Sequence, residues 1–255
     1  MRVLDMTPYR PFRRMGQSCR TRPIAEKQVL WLKPEPEPLL EGRFIGRTLA
    51  RPDIEAAAEL WRLSYPEVYG SEHDFILYPE DYEPHLALAE TWEKDAMEKK
   101  YCMLVAEEAA SGRLAAATLM TKFDKNLQIE YTFAGTHPAY RHLGLARSLV
   151  EIMERMAGAS GAEYLTTFLE TWHTISQEAT LGWGTDWRIA GIFPGNFTRW
   201  GGEQQEYRAC EIYLYRFINE GEKFATRPEE WQLLPEVRTL WEALEAVNAK
   251  LGQRS

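Results

Sequence analysis

The stretch GTHPAYRHLGLARSLVEIMERMA, residues 135–157, constrains the fold more than any other part of the chain. It passes from a strand end into a strongly helical run, and Gly144 stands where the helix opens. Glycine costs a helix about 1 kcal/mol relative to alanine, so its presence there calls for a return. The return is access. Without a side chain at that point, an anion can approach bare backbone N–H groups at the positive end of the helix dipole. The N–H groups of residues 142–146 have no helical partner and point out of the helix start, where an anion can be received. Leu145, Leu149, Ile152, Met153 and Met156 recur at helical spacing behind them and mark a core-facing stripe.

Three zones flank this feature. Residues 1–43 read as an irregular, basic, proline-rich extension ending in LKPEPEPLLEG, whose alternating prolines predict an extended spacer with little core of its own. Its first 27 residues hold Arg2, Arg10, Arg13, Arg14, Arg20, Arg22 and Lys27 against Asp5 and Glu26. Either this is a solvated basic arm or it docks on an acidic surface, such as that of a second subunit. Residues 44–218 alternate strands and helices, and residues 219–255 read as a tail forming one amphipathic helix packed on the body.

Within the middle zone, RFIGRTLA predicts a strand and IEAAAELWRLSY a helix with Asp53 as its N-cap. A long aromatic loop and a helix around 86–98 come next. YCMLVAEE, RLAAATLMTKF and LQIEYTFAGTH then predict three antiparallel strands joined by short links. AEYLTTFLE is reached by a strand-helix-strand crossover and is therefore expected to run parallel to LQIEYTFAGTH. A helical segment near 172–181 and the strands WRIAGIFP and CEIYLYRFI close the body.

This order, with Arg141-His142-Leu143-Gly144-Leu145-Ala146 after Thr136-His137-Pro138, resembles the GCN5-related N-acetyltransferase (GNAT) superfamily and its Q/R-x-x-G-x-G/A signature. The resemblance implies an α/β (α+β) fold, a mixed and mostly antiparallel sheet flanked by helices. It also implies acetyl-CoA, or another acyl-CoA, as the donor. Its pantetheine arm would lie along Phe133, Ala134, Gly135 and Thr136 like an added strand. Its pyrophosphate would meet the main chain of His142 to Ala146. Arg141 is read two ways, as a phosphate contact or a surface arginine. Thr174 and Gln177 are further candidates on the cofactor side.

Acyl transfer needs a neutral amine and a proton returned to the leaving thiolate. Glu130, mid-strand just before the cofactor stretch, is the candidate base, with a purely structural role as the alternative. Many family members carry a tyrosine acid on the helix after the fifth strand, and TWHTISQEATLGWGTDW has none. His173 or Ser176 is the substitute acid, or the thiolate leaves with the help of water, with a structural role as the alternative for His173. Tyr65 and Tyr69 of the long loop, Glu170 and Asn196 are candidate contacts to the acceptor. The run IEYTFAGTHPAYRHLGLA with a later GIFPGN is similar to the β-lysine N-acetyltransferase-like branch, but LETWHTISQ replaces that branch's central segment.

The expected activity is acyl transfer to a primary amine of a small molecule or amino acid. A protein lysine as acceptor and a non-catalytic acyl-CoA sensor are the alternatives. The net charge of −8 argues against nucleic acid as a partner. The three cysteines fall in no metal-binding spacing, so no metal is expected. No apolar run approaches the roughly 18 residues of a membrane helix, and the N-terminus has no secretory stretch. The expectation is therefore a cytoplasmic protein with no membrane partner, and the basic arm suggests a homodimer.

Overall fold

The structure, a computed structural model, describes residues 5, 7, 19–182 and 186–252. In chain order the elements are β1 (Glu37–Leu39), β2 (Phe44–Thr48), α1 (Ile54–Ser64), α2 (Tyr82–His85), β3 (Leu86–Ala87), α3 (Trp92–Glu98), β4 (Tyr101–Glu108), β5 (Leu114–Phe123) and β6 (Gln128–Thr136). After these come α4 (Leu145–Ala159), β7 (Tyr164–Glu170), α5 (Ile175–Gly182), β8 (Arg188–Gly202), β9 (Gln205–Phe217) and α6 (Pro235–Leu251). The strands form one sheet in the order β1-β2-β4-β5-β6-β7-β9-β8, with β3 beside β4. Every neighbouring pair is antiparallel except β3 with β4 and β6 with β7.

The sheet has a core on each face. Leu145, Leu149, Ile152, Met153 and Met156 of α4 pack on one face, as their helical spacing requires. Ile54, Ala57, Leu60 and Trp61 of α1 pack on the other, joined by Phe75, Ile76 and Leu77 of the aromatic loop. β4 and β5 lie at the centre and are covered on both sides, so they read as nearly unbroken apolar runs rather than alternating ones.

Several sequence expectations are corrected. The proline-rich stretch is not only a spacer: Glu37–Leu39 pairs with Phe44–Gly46 as an edge strand, where proline is tolerated because its missing N–H faces away from the ladder. The extension also contributes to the core, with Val29 and Trp31 buried against the α4 side. They are held by the buried Lys122, whose Nζ donates to the carbonyls of Val29, Ala96 and Met97 at 2.9 Å each. Of the basic arm, Arg2, Arg10, Arg13 and Arg14 lie outside the described residues. Arg22 docks on the chain's own body, donating to both Glu163 oxygens at 2.5 and 2.6 Å and lying over Phe224.

The expected helix around 86–98 begins only at Trp92, because Leu86 and Ala87 run beside β4 as a buried strand instead. At the other end, β8 continues past Pro194 to Gly202. It is carried through an irregularity at residues 194–196, where Phe193 faces Glu211 but Phe197 already faces Ala209. The tail helix α6 forms, but only part of its apolar stripe packs: Trp241 and Leu244 are half-buried, while Val237, Leu240 and Val247 are exposed. What ties it down is Asn248, whose side chain accepts from the Ile189 N–H at 2.8 Å and donates to the Ile189 carbonyl at 3.0 Å, closing the free edge of β8. Among the described residues, no helix is long and apolar enough to cross a membrane.

Candidate active site

β6 and β7 are paired only from Gln128 opposite Tyr164 to Tyr131 opposite Thr167. Beyond that point they splay, and a cavity of about 620 Å³ occupies the gap. Its wall takes Met153, Leu169 and Trp187 from the α4-side core and Tyr65 and Phe133 from the α1 side, so it passes through the sheet.

A bulge sets which side chains face which way. Leu119 pairs with Phe133 and Met120 with Tyr131, leaving Thr132 with no opposite residue. In a regular strand Glu130 and Phe133, three apart, would point to opposite faces; the extra residue puts both on the α1 side. Tyr131 correspondingly packs in the α4-side core. On β7, Leu165 and Leu169 belong to the α4 side, which turns Phe168 and Glu170 towards α1.

The α1 side is acidic. Glu67, Glu130, Glu170 and Glu211 all line the cavity there. Glu170 receives the Tyr65 hydroxyl on one oxygen and Trp172 Nε1, at 3.0 Å, on the other. Glu211 is 2% exposed, accepts from Arg199 Nη2 at 2.6 Å and from Asn196 Nδ2 at 3.3 Å. Arg199, also 2% exposed, further reaches the Tyr65 hydroxyl at 3.4 Å and Glu170 at 3.5 Å. The rings of Phe197, Tyr65 and Phe133 surround its guanidinium at 5.0, 5.7 and 5.9 Å.

These environments divide the carboxylates. Burial pushes Glu130 up to about 7, Glu72 adds to the rise, and Lys100 opposes it. Burial also raises Glu211, against the pull of the Arg199 charge, while Glu170 and Glu130 add to it by like-charge repulsion. Burial holds the Tyr65 phenol well above its ordinary range, so it stays a donor. Burial works against the Arg199 charge, and Tyr65, Glu211 and Glu170 outweigh it.

The α4 side is built differently. Gly144, at φ +86°, caps α4 in the left-handed conformation, and an added Cβ there would meet nothing within 4 Å. His142 is also left-handed, at φ 64°. Arg141, His142 and Ala146 line this end of the cavity beside the unpartnered N–H groups of the helix start. His173 Nδ1 and Ser176 Oγ are buried at the cavity wall with no partner among the described residues.

The chain's comparison with family models falls on this same architecture: residues 54–180 match the Acetyltransferase (GNAT) family. The chain carries a GNAT acetyltransferase domain. Solved structures share its fold. The ribosomal-protein-S5-alanine acetyltransferase from Vibrio fischeri is 12% identical, with a TM-score of 0.56 over 73% of this chain and 98% of that one. A spermidine N-acetyltransferase, SpeG, from Vibrio cholerae is 14% identical, with a TM-score of 0.53 over 70% and 96%. The structure of yncA from Salmonella typhimurium with its cofactor acetyl-CoA is 17% identical, with a TM-score of 0.50 over 69% and 95%. No curated protein matches the sequence. The family match does not extend to the β-lysine branch.

The expected residues of the GNAT domain fall into three groups. Glu130, Phe133, Ala134, Gly135, Thr136, Arg141, His142 and Ala146 line the cavity, as do His173, Tyr65 and Glu170. A second group stands behind the wall. Leu145 is core, and the amide of Gln177 donates to the carbonyls of Glu170 and His173 rather than facing the gap. Asn196 supports Glu211 from the irregularity in β8. The third group lies away from it: Leu143 and Thr174 are exposed, and Tyr69 packs edge-on against Trp200. Gly135 serves packing, since an added Cβ would come within 2.5 Å of Ser64 Oγ and 2.8 Å of Trp61 Cζ3. Arg199 and Glu211 were missed by sequence reasoning. An arginine and a glutamate twelve apart carry no local signal, and only the β8–β9 pairing brings them together.

Proposed function

We propose that the chain is an acetyl-CoA-dependent N-acetyltransferase that acetylates a small primary amine by direct attack in a ternary complex. The observation that carries this reading is the polarity of the cavity. One end has a helix N-terminus, Arg141 and His142; the other has four carboxylates, and the two meet inside the β6–β7 splay. An anionic donor and a cationic acceptor are thus drawn in from opposite sides of the sheet.

The α4 start is suited to the donor's pyrophosphate, since Gly144 leaves its N–H groups uncovered. The edge of β6 beyond Tyr131 faces the splay without a β7 partner, so its backbone groups are available to the amides of a pantetheine arm. When bound, the donor supplies an activated acyl carbon. The amine must lose its charge before it can attack. Glu130, ionised above about pH 7, takes that proton. Glu130 passes that proton to solvent; the amine nitrogen then bonds to the thioester carbonyl carbon, the carbon–sulfur bond breaks, and the ionised Glu130 takes the proton the amine sheds. His173, at the same wall and without the family's tyrosine beside it, returns a proton to the thiolate.

Calorimetry with acetyl-CoA followed by thiol release over a panel of amines tests this. Binding with amine-dependent release supports the reading. Binding without release on any amine points to a sensor, and no binding overturns both.

A further inference from the structure

A base in a buried site must carry negative charge where burial resists it, so Glu130 needs local support. Its charged surroundings supply little. Glu72 of the aromatic loop strengthens its hold on a proton; on β9, Glu211 is itself raised by Glu130, and burial keeps Tyr213 a neutral phenol. Lys100, just ahead of β4, pulls the other way, but it is exposed and its charge is screened by solvent.

The support comes from the residue that the bulge leaves out of the ladder. Thr132 lines the cavity, and its Oγ1 lies 2.7 Å from Oγ1 of Thr121, which stands directly opposite Glu130 on β5. Thr121, Glu130 and Thr132 therefore share the α1 side of the sheet. The direction of the bonds between them follows from the donors available. Thr121 is 1% exposed, and among the described residues its hydroxyl has no partner but Thr132, so its one proton goes to the Thr132 oxygen. The proton of Thr132 is then left for Glu130. It reaches the Glu130 carbonyl at 3.4 Å and also bonds the side-chain carboxylate, which weakens that group's hold on a proton and so works against burial.

We infer that Thr132 is a positioning residue for the base: its hydroxyl, aimed by Thr121, orients the Glu130 carboxylate and stabilises its negative charge. The two threonines act in series, Thr121 donating to Thr132 and Thr132 to Glu130. Neither touches the reacting atoms. This inference rests on the acetyltransferase reading above, with Glu130 as its base, and deepens it by naming what prepares that base.

The test follows kcat/KM for amine-dependent thiol release against pH, at saturating acetyl-CoA, in the full chain. Wild type is compared with Thr132→Val, Thr132→Ser and the double variant Thr121→Val/Thr132→Val. Valine keeps nearly the same shape and deletes the hydroxyl. A hydrogen bond to a charged group is worth about one pH unit or more, so Thr132→Val should move the midpoint of the pH profile up by about one unit and lower kcat/KM at pH 7 about fivefold. Thr132→Ser restores the hydroxyl and should return the midpoint to the wild-type value. The double variant leaves no orphaned hydroxyl behind, so it keeps the test open should Thr132→Val fail to fold, and it should show the same upward shift. A midpoint that stays at the wild-type value in the valine variants, or a Thr132→Ser variant that shifts as far as valine, overturns the inference while leaving the acetyltransferase and its base intact. Release that persists in Glu130→Gln overturns the choice of base, and release from no amine at all overturns the underlying reading; either takes this inference with it.

Discussion

Glu130 carries opposite consequences for activity and for stability. As base it works only when ionised, so kcat/KM should rise with pH through about 7. In folding terms its raised affinity for a proton favours the native state at low pH. That contribution is fully present below the unfolded value of about 4.3 and is lost as pH climbs through about 7. Glu130→Gln should therefore lower kcat by about 10²- to 10⁴-fold while raising Tm at pH 8, read by thiol release and thermal unfolding. Two glycines near it separate by mechanism. Gly135→Ala should destabilise by about 1–3 kcal/mol, because α1 must move off β6 to admit the Cβ. Gly144→Ala meets no neighbour but strains a left-handed residue, at about 1–2 kcal/mol. Its acetyl-CoA Kd, measured by calorimetry, should weaken more than that of Gly135→Ala. The sequence made Gly144 legible because a glycine opening a helix has few explanations. It gave no comparable clue to Gly135, whose reason is a tryptophan more than seventy positions away.

Among the elements, the β8–β9 hairpin shows where sequence reading stops. From β4 through β7 the order of strands, helix and crossover was readable from periodicity, whereas the edge strand β1 and the short β3 were not. β8 was cut short at Pro194 because Pro-Gly-Asn reads as a turn. In the fold those residues interrupt the ladder without ending the strand, and they bring Asn196 onto Glu211. The same limit applies to α6. Its apolar spacing predicted a packed face, yet its anchor is a polar clamp on an edge strand, which periodicity does not register. Asn248→Ala should leave two Ile189 backbone groups without their partner and cost about 1–3 kcal/mol. Hydrogen exchange should rise at Ile189 and little in the central strands β4 and β5.

At the scale of the whole molecule, function follows from a sheet that fails to close. Four residue pairs join β6 to β7 before the strands part, and the opening connects a helix N-terminus on one face with a group of carboxylates on the other. The donor end was legible because it lies within one continuous stretch. The acceptor end was only partly so, since α1, β6, β7, β8 and β9 each supply one piece of it. The most direct test compares wild type and Glu130→Gln side by side, reading the acetyl-CoA Kd by calorimetry and amine-dependent thiol release at pH 8. The account predicts closely similar Kd values with release lost in the variant by about 10²-fold or more. Release that persists in the variant would contradict the account, as would loss of acetyl-CoA binding together with release.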